Sequence, residues 1–332
     1  MQRKSRPTLQ DIADRVGITK MTVSRYMRDP SSVAQATQQK IAAVVEELGY
    51  IQNRVPAMLS KSSSKAIGII LPSLSNQVFA NLVQGIEQVT KAHGYDTLIA
   101  HTGYNQAEEE DKIAALLSYQ VDGLILTETN HTPRTLQMLK QAGIPVVETM
   151  ELPSEPIDMA VGLDHEQTAF EVVSKMIAAG KTNVAYLGAR LDTRTQLRMQ
   201  GYDRAMQAAG LESMHITTKQ HSSFTMGGEL LEQALTQYPN LDGIFCTNDD
   251  IAIGAMMYCS HHQIAIPKQI SVVGYNALDI GQAIIPKLTS VETPRFEIGQ
   301  KSAELLLDVL TGTVPEQKVY DLGYQLTQGQ TL

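Results

Sequence analysis

The chain has 332 residues, of which 43% are hydrophobic and 19% are charged, and its net charge is −8. This length suits two or three domains with a large core, and the composition excludes disordered and collagen-like proteins. Cys246 and Cys259 are too few for a disulfide framework, and the sequence has neither a signal-peptide core nor a membrane-length apolar run. We therefore expect a cytoplasmic protein, with no membrane partner, whose two cysteines are reduced and buried.

The charge is distributed unevenly along the chain. Residues 1–65 contain 11 Lys and Arg against 5 Asp and Glu, a net charge of +6, which leaves −14 for the remainder. A basic segment attracts the phosphate backbone of nucleic acid, whereas an acidic body is kept away from it. The first 65 residues are therefore the candidate nucleic-acid-binding part.

Apolar residues at spacings of three and four predict two short helices between residues 9 and 28. Gly17 suits the end of the first helix and Thr19 the cap of the second. A third helix is predicted over about 35–48, where Gly49 ends it. Two short helices joined by such a turn are typical of a helix-turn-helix, so we predict a DNA-binding domain over residues 1–52.

The second helix of this motif enters the major groove, and its first residues reach base edges. Lys20 and Met21 are expected to read bases, and Arg25 is expected to pair with guanine acceptors. Thr19, Thr22 and Ser24 are expected to hold phosphates. The remaining predicted DNA contacts are Thr8, Leu9 and Arg28. A three-helix bundle without a DNA role is the alternative.

After residue 65, short β-branched runs alternate with helical stretches. Continuous apolar strands separated by helices indicate parallel sheets covered on both faces. A body of this length exceeds one open sheet, so we predict an α/β fold of two doubly wound lobes with a ligand cleft at the carboxyl ends of the strands. The predicted strands are 66–71, 96–100, 123–126, 146–149, 183–187, 243–246 and 271–274.

An enzyme could use such a cleft, but the sequence has no GxGxxG, GxxxxGK[ST], HExxH or GxSxG motif. His261 and His262 lie near a predicted helix end and are expected to be exposed rather than ligands. We therefore expect no enzyme activity, no cofactor and no metal. A sugar-binding transport protein is a second alternative, although it would not need the basic head.

The run TLQDIADRVGITKMTVSRYM, followed by GYIQNRVPAML, resembles the DNA-binding head and hinge of the lactose/galactose repressor (LacI/GalR) family. The resemblance implies a hinge helix and linker over 53–65 that forms on operator DNA beside the hinge of a second subunit. Asn53 would cap this helix, and Leu59 matches the leucine that the family inserts between base steps of the minor groove. A homodimer on a pseudo-palindromic, double-stranded operator is therefore implied.

The blocks IGIILPSLSNQVFANLVQGIE, VDGLIL and LDGIFCTNDDIAIGAM resemble the body of the same family, whose fold is related to periplasmic sugar-binding proteins. The resemblance implies an effector-binding and dimerisation core over 66–332. Its first lobe would cover about 66–162 and 292–320, and its second lobe about 163–291 and 321–332. Crossings between the lobes are expected near Gly162, Val291 and Asp321.

The same resemblance implies a set of effector-binding residues: Ser73, Asn76, Phe79, Thr127, Asp164, Arg198, Asn248 and Asn276. Three of them have a structural alternative. Phe79 could belong to the core, Arg198 could be a surface residue, and Asn248 could cap the helix that follows it.

The nature of the effector is suggested by a departure from the family pattern. The family often has Asp where this chain has the neutral Asn276, and Arg190, Arg194 and Arg198 lie in one stretch. A cleft with less negative charge and nearby guanidinium groups would admit an anion, so our hypothesis is a sugar acid. LPSLSNQVFA and FCTNDD also resemble gluconate/idonate-utilisation regulators of this family. We therefore predict a repressor with a gluconate-like effector, while a neutral or phosphorylated sugar stays an alternative.

Overall fold

A computed structural model describes residues 6–52 and 63–332. The chain divides after Ser64 into a small N-terminal unit and a larger unit, Lys65–Leu332. No helix within the described ranges is long and apolar enough to cross a membrane. Two of the predicted DNA contacts, Asn53 and Leu59, fall outside the described residues.

Within the N-terminal unit, the described residues 6–52 form three α-helices and one short 3-10 turn: α1 (Leu9–Val16), α2 (Lys20–Arg28), Pro30–Ser32 and α3 (Gln35–Leu48). Gly17 ends α1 at a φ of 77°, and Gly49 ends α3 at a φ of 57°. Both positions have the left-handed backbone conformation, which glycine adopts without strain because it has no Cβ. The three helices predicted from the sequence are confirmed, and their fully buried core consists of Ile12, Ala13, Val23 and Ile41.

The first lobe of the larger unit is a six-stranded sheet. Its strands are β1 (Ala66–Leu71), β2 (Asp96–His101), β3 (Gly123–Leu126), β4 (Val146–Thr149), β5 (Met159–Gly162) and β11 (Val319–Asp321). They are all parallel, in the order β11-β5-β4-β3-β1-β2. Its helices are α4 (Val78–Ala92), α5 (Gln106–Ser118), α6 (Pro133–Ala142) and α12 (Arg295–Leu310).

The second lobe is a similar sheet with the order β12-β10-β9-β8-β6-β7. Its strands are β6 (Val184–Ala189), β7 (Met214–Thr218), β8 (Gly243–Cys246), β9 (Ser271–Tyr275), β10 (Thr289–Glu292) and β12 (Gln325–Leu326). Only β12 runs antiparallel to its neighbour. Its helices are α7 (His165–Ala178), α8 (Thr193–Ala208), α9 (Phe224–Gln237), α10 (Asp249–His261) and α11 (Asp279–Ala283).

Each sheet is covered by helices on both faces. In β1, Ile67 and Ile69 pack with α4 and α12, while Ile70 packs on the other face with residues of α5 and α6. This two-sided burial is the reason that the central strands are continuous apolar runs. The predicted α/β class with two parallel, doubly wound sheets is confirmed.

Two features of the sheets differ from the sequence-based expectation. The strands β5, β7, β10, β11 and β12 were absent from the predicted set because they are short or carry polar residues. The strand β2 lies at the edge of its sheet, and Leu98 and Ile99 are 37% and 45% exposed, so it is not covered on both faces. An edge strand has a neighbouring strand on one side only, so part of its surface is exposed to solvent.

The chain crosses between the lobes three times. It leaves the first sheet after β5, returns after β10 to form α12, and leaves again after β11 to form β12. The loops that follow β1, β2, β6 and β7 line one cavity between the two lobes.

Candidate functional site

The exposed face of α2 carries the predicted base-reading side chains. Met21 is 68% exposed, and Lys20 and Arg25 are also exposed. Thr19 caps the helix, since its hydroxyl accepts a hydrogen bond from the backbone N of Thr22 at 3.3 Å. This cap fixes the first turn of α2, and the outward side chains of the helix are accessible from solvent.

The other predicted DNA contacts of the N-terminal unit have mixed environments. Arg28 is exposed and Ser24 is half-buried. Thr8 forms a capping box with Asp11, in which each side chain bonds the other residue's backbone N. Leu9 is half-buried against the core of the unit. Thr8 therefore caps α1, and Leu9 packs against the core.

A hydrogen-bonded cluster in the second lobe connects three of the predicted effector residues. Arg198 is 4% exposed, and its Nη1 donates to the Thr247 carbonyl at 2.6 Å and to Asn248 Oδ1 at 3.4 Å. Asn276 Nδ2 donates to the same Asn248 oxygen at 2.8 Å. The Asn248 side chain makes no capping hydrogen bond to α10. The buried position of Arg198 and the contacts of Asn248 thus disfavour the two structural alternatives.

The guanidinium of Arg198 also rests on aromatic neighbours. It lies 3.7 Å from the ring centroid of Tyr275, and its Nε is 3.4 Å from His165 Nδ1. His165 Nε2 is 2.9 Å from the Met150 carbonyl, which makes Nε2 the donor and leaves Nδ1 as an acceptor. Burial, together with Arg198 and Arg194, lowers the pKa of His165 well below its ordinary value. This imidazole is neutral and adds no charge to the site.

The loop that carries Asn276 is held in a strained backbone conformation. Asn276 and Ala277 have φ values of 92° and 47°. The Asp249 carboxylate accepts from the Leu278 backbone N at 2.5 Å and from the Ser290 hydroxyl at 2.6 Å. Burial raises the pKa of Asp249 to about 7, although these hydrogen bonds oppose the shift. Asp249 therefore stabilises the loop rather than facing a ligand.

Side chains on the loops of the first lobe form a second group. Ser73 Oγ accepts from the backbone N atoms of Ser75 and Asn76 at 3.2 Å, and Asn76 Nδ2 donates to the Tyr104 hydroxyl at 3.3 Å. Thr127 is fully buried, and its hydroxyl donates to the Ile70 carbonyl at 3.0 Å. These contacts organise the loops that follow β1 and β2.

Two of the predicted effector residues have structural roles. Phe79 is 3% exposed and belongs to the core of the first lobe, as its structural alternative held. Asp164 is exposed and caps α7, because its Oδ1 accepts from the Gln167 backbone N at 2.8 Å. A helix cap and a ligand-binding acid require the same residue type, so the sequence did not separate the two roles.

Arg194 connects the two lobes. It extends from α8, is 6% exposed, and donates to the Thr127 carbonyl at 2.5 Å and to Glu128 Oε1 at 2.6 Å. Burial raises the pKa of Glu128, while the charge of Arg194 opposes the shift. Sequence reasoning grouped Arg194 with Arg190 and Arg198 as a source of positive charge, but its charge is already neutralised by Glu128.

Two cavities are lined by loops of both lobes. One, of 390 Å³, is lined by Ser73, Asn76 and Tyr104 from the first lobe and by Arg190, Ser222 and Asp250 from the second. The other, of 840 Å³, has an acidic lining that includes Glu109, Glu110, Glu128 and Asp192. Tyr104 and Ser222 were missed by the sequence analysis. Tyr104 follows a predicted strand and could have been found by the strand-end rule, whereas Ser222 follows β7, which was not predicted.

A basic helix-turn-helix unit, joined to two parallel-sheet lobes with polar cavities between them, defines a DNA-binding regulator with a small-molecule domain. Residues 64–321 match the model of periplasmic binding proteins and the sugar binding domain of the LacI family. Residues 8–53 match that of bacterial regulatory proteins of the lacI family. The chain belongs to the LacI family.

Similar proteins narrow the position within the family. The chain is 49% identical over 330 residues to the HTH-type transcriptional regulator GntR of Escherichia coli K12, covering 99% of this chain and all of that protein. It is 46% identical over 331 residues to the regulator IdnR of the same strain, with 99% and 100% coverage. A LacI-family regulator from Silicibacter pomeroyi superposes with a TM-score of 0.92 at 30% identity, covering 98% of this chain and 99% of that one. This chain is therefore a DNA-binding transcriptional regulator close to GntR and IdnR.

Proposed function

We propose that this chain is a homodimeric repressor whose operator binding is controlled by a gluconate-like sugar acid bound between the lobes. The main observation in favour of an anionic effector is that Arg198 is buried without an ion pair in the part of the chain that the structure describes. It is 4% exposed and forms no ion pair with any carboxylate of the described residues. A buried guanidinium without a direct ion pair is costly, and an anionic ligand bound nearby would offset that cost.

The surroundings of Arg198 support an anion over a neutral sugar. The polar groups beside it are the neutral amides of Asn248 and Asn276 and the neutral imidazole of His165. An acid at position 276 would offer an acceptor to sugar hydroxyls, but it would also repel a carboxylate. The amide removes that repulsion.

The proposed DNA contacts are the exposed side chains of α2, with Lys20, Met21 and Arg25 at base edges. The basic charge of residues 1–65 supports this role, because phosphate attraction supplies much of the affinity of such proteins. Leu59 is proposed to enter the minor groove between base steps. Each subunit of the dimer would contact one half of a pseudo-palindromic operator.

Control is proposed to act by linkage between the two ligands. If the effector stabilises a lobe arrangement that operator-bound dimers disfavour, each ligand must weaken the binding of the other by the same factor. A mobility shift with selected operator DNA, with and without saturating gluconate, measures this factor. Equal operator affinity in both conditions would refute control by gluconate.

Calorimetric titration of the full chain tests the effector class directly. We expect gluconate to bind more tightly than glucose, and tight glucose binding without gluconate binding would overturn the proposal. Asn276→Asp places a negative charge beside Arg198 and should weaken gluconate binding roughly tenfold. The matched control is Asn240→Asp, since Asn240 is exposed and lies before β8, at the amino end of that strand. The control should leave gluconate affinity within about twofold of wild type.

A further inference from the structure

The 390 Å³ cavity contains two buried polar atoms that lack partners. Arg190 Nε and Ser222 Oγ are both inaccessible to solvent, and neither has a hydrogen bond within residues 6–52 and 63–332. Buried polar groups are almost always satisfied, so two unpartnered atoms in one cavity point to a ligand with acceptors that would pair with them. The volume lies in the range of small-molecule sites.

The backbone at Arg190, whose side chain lines this cavity, is strained. Arg190 and Leu191 have φ values of 70° and 55°, a conformation that costs non-glycine residues free energy. The Arg190 backbone N donates to the Gln220 carbonyl at 2.9 Å, which joins the loops after β6 and β7. The guanidinium lies 4.2 Å from the ring centroid of Tyr104, across from it in the first lobe.

Arg190, Arg194 and Arg198 differ in how many of their N–H donors already have partners in the protein. Arg194 is paired with Glu128, and Arg198 donates to Thr247, Asn248 and His165. In the described part of the chain, the one carboxylate near Arg190 is that of Asp192, whose Oδ2 is 3.8 Å from Arg190 Nη1. Among these three arginines, only Arg190 belongs to the lining of the 390 Å³ cavity.

The same cavity also offers groups that suit hydroxyls. Asp250 and Asn76 line it, and one Asp250 oxygen accepts from the backbone N of Ile251 at 2.9 Å. Ser223 caps α9, so the positive end of that helix dipole lies beside Ser222. Arg190 and the α9 terminus therefore give the cavity cationic character, while Asp250 and Asn76 provide acceptors for hydroxyls.

We infer that Arg190 and Ser222 bind the carboxylate of the effector, with the hydroxyls of its carbon chain directed to Asn76 and Asp250. Arg190 is thereby the residue that selects a sugar acid over the corresponding uncharged polyol. Arg198, whose donors go to Thr247, Asn248 and His165, contributes positive charge near the site, while Arg190 makes the direct contact. This inference rests on the sugar-acid function proposed above.

The test compares gluconate with sorbitol, which has a hydroxymethyl group in place of the carboxylate. Calorimetry on the full chain should show that Arg190→Gln weakens gluconate binding by about 10- to 100-fold, as expected for the loss of hydrogen bonds to a charged group. Sorbitol affinity should change less than about twofold, because sorbitol lacks the group that Arg190 binds. Arg190→Lys should recover part of the gluconate affinity, and Ser222→Ala should weaken it by about 3- to 10-fold.

The matched control is Arg204→Gln, because Arg204 lies on α8 and pairs at the surface with Glu166. It should leave gluconate binding unchanged. Circular dichroism and operator binding establish that each variant is folded. Gluconate affinity of Arg190→Gln within about twofold of wild type would overturn the inference while leaving the sugar-acid function intact. Failure of the wild type to bind any sugar acid would instead overturn the proposed function.

Discussion

Replacement of Arg194 by Met tests whether the ion pair between the lobes stabilises the larger unit. The Arg194 side chain is 8% exposed and the Glu128 side chain 22% exposed. Removal of one partner from a buried pair costs about 3–5 kcal/mol, because the other charge is left uncompensated. Partial access of water to Glu128 reduces this value, so we expect the free energy of unfolding to fall by about 2–3 kcal/mol at pH 8.

The cost of Arg194→Met should depend on pH in a defined direction. Without the guanidinium, burial raises the pKa of Glu128 further above its ordinary value of 4.5. A carboxyl whose pKa is higher in the folded state binds a proton more tightly there, so its contribution to stability is largest at low pH and is lost as pH rises. The variant should therefore be penalised less at pH 5 than at pH 8.

Urea unfolding followed by circular dichroism measures both effects. Glu128→Gln in the Arg194→Met background removes the unpaired charge and should restore part of the lost stability at pH 8. Arg204→Met is the control, because its exposed pair with Glu166 is worth less than about 1 kcal/mol. A loss of stability under about 0.5 kcal/mol, or a loss equal at both pH values, would refute this account of the interlobe pair.

Two further predictions concern the first lobe. Burial opposes charge on His131, but its hydrogen bond to Glu109 and the Glu148 carboxylate, 3.5 Å from its Nε2, outweigh burial and raise its pKa from 6.5 to about 9. The stability that charged His131 contributes is complete below pH 6.5 and lost as pH rises through 9, so urea unfolding should show a larger deficit for His131→Gln at pH 6 than at pH 9.5. Gly85→Ala would place a Cβ against the Phe296 carbonyl, where α4 meets α12, and should cost about 2–3 kcal/mol by the same measurement. Gly228→Ala, with its nearest atom at 3.7 Å, should be neutral or stabilising, and an equal loss in both variants would contradict the packing argument.

Much of this fold follows from local sequence features. The helices α1 and α2 begin, and α1 ends, at residues that the sequence marks as caps, because a cap such as Thr19 or Gly17 acts on backbone atoms only a few residues away. Strands such as β1 and β8 were predicted because burial on both faces demands a continuous apolar run. Short strands such as β11 and β12 were not predicted, because they form only by pairing with strands that are distant in the sequence.

The candidate site likewise has features that the sequence predicts and features that only tertiary packing decides. The family pattern predicted Arg198, Asn248 and Asn276 as effector residues, and the structure brings these three side chains into one hydrogen-bonded cluster. The sequence by itself also shows that residues 1–65 are basic and the remainder is acidic. Only the tertiary structure decided that Arg194 is neutralised by a carboxylate 66 residues away, while Arg190 Nε has no hydrogen-bond partner among the described residues. The three arginines have the same chemistry and lie in one short stretch. Their roles differ because packing of the other lobe determines which donors are already used.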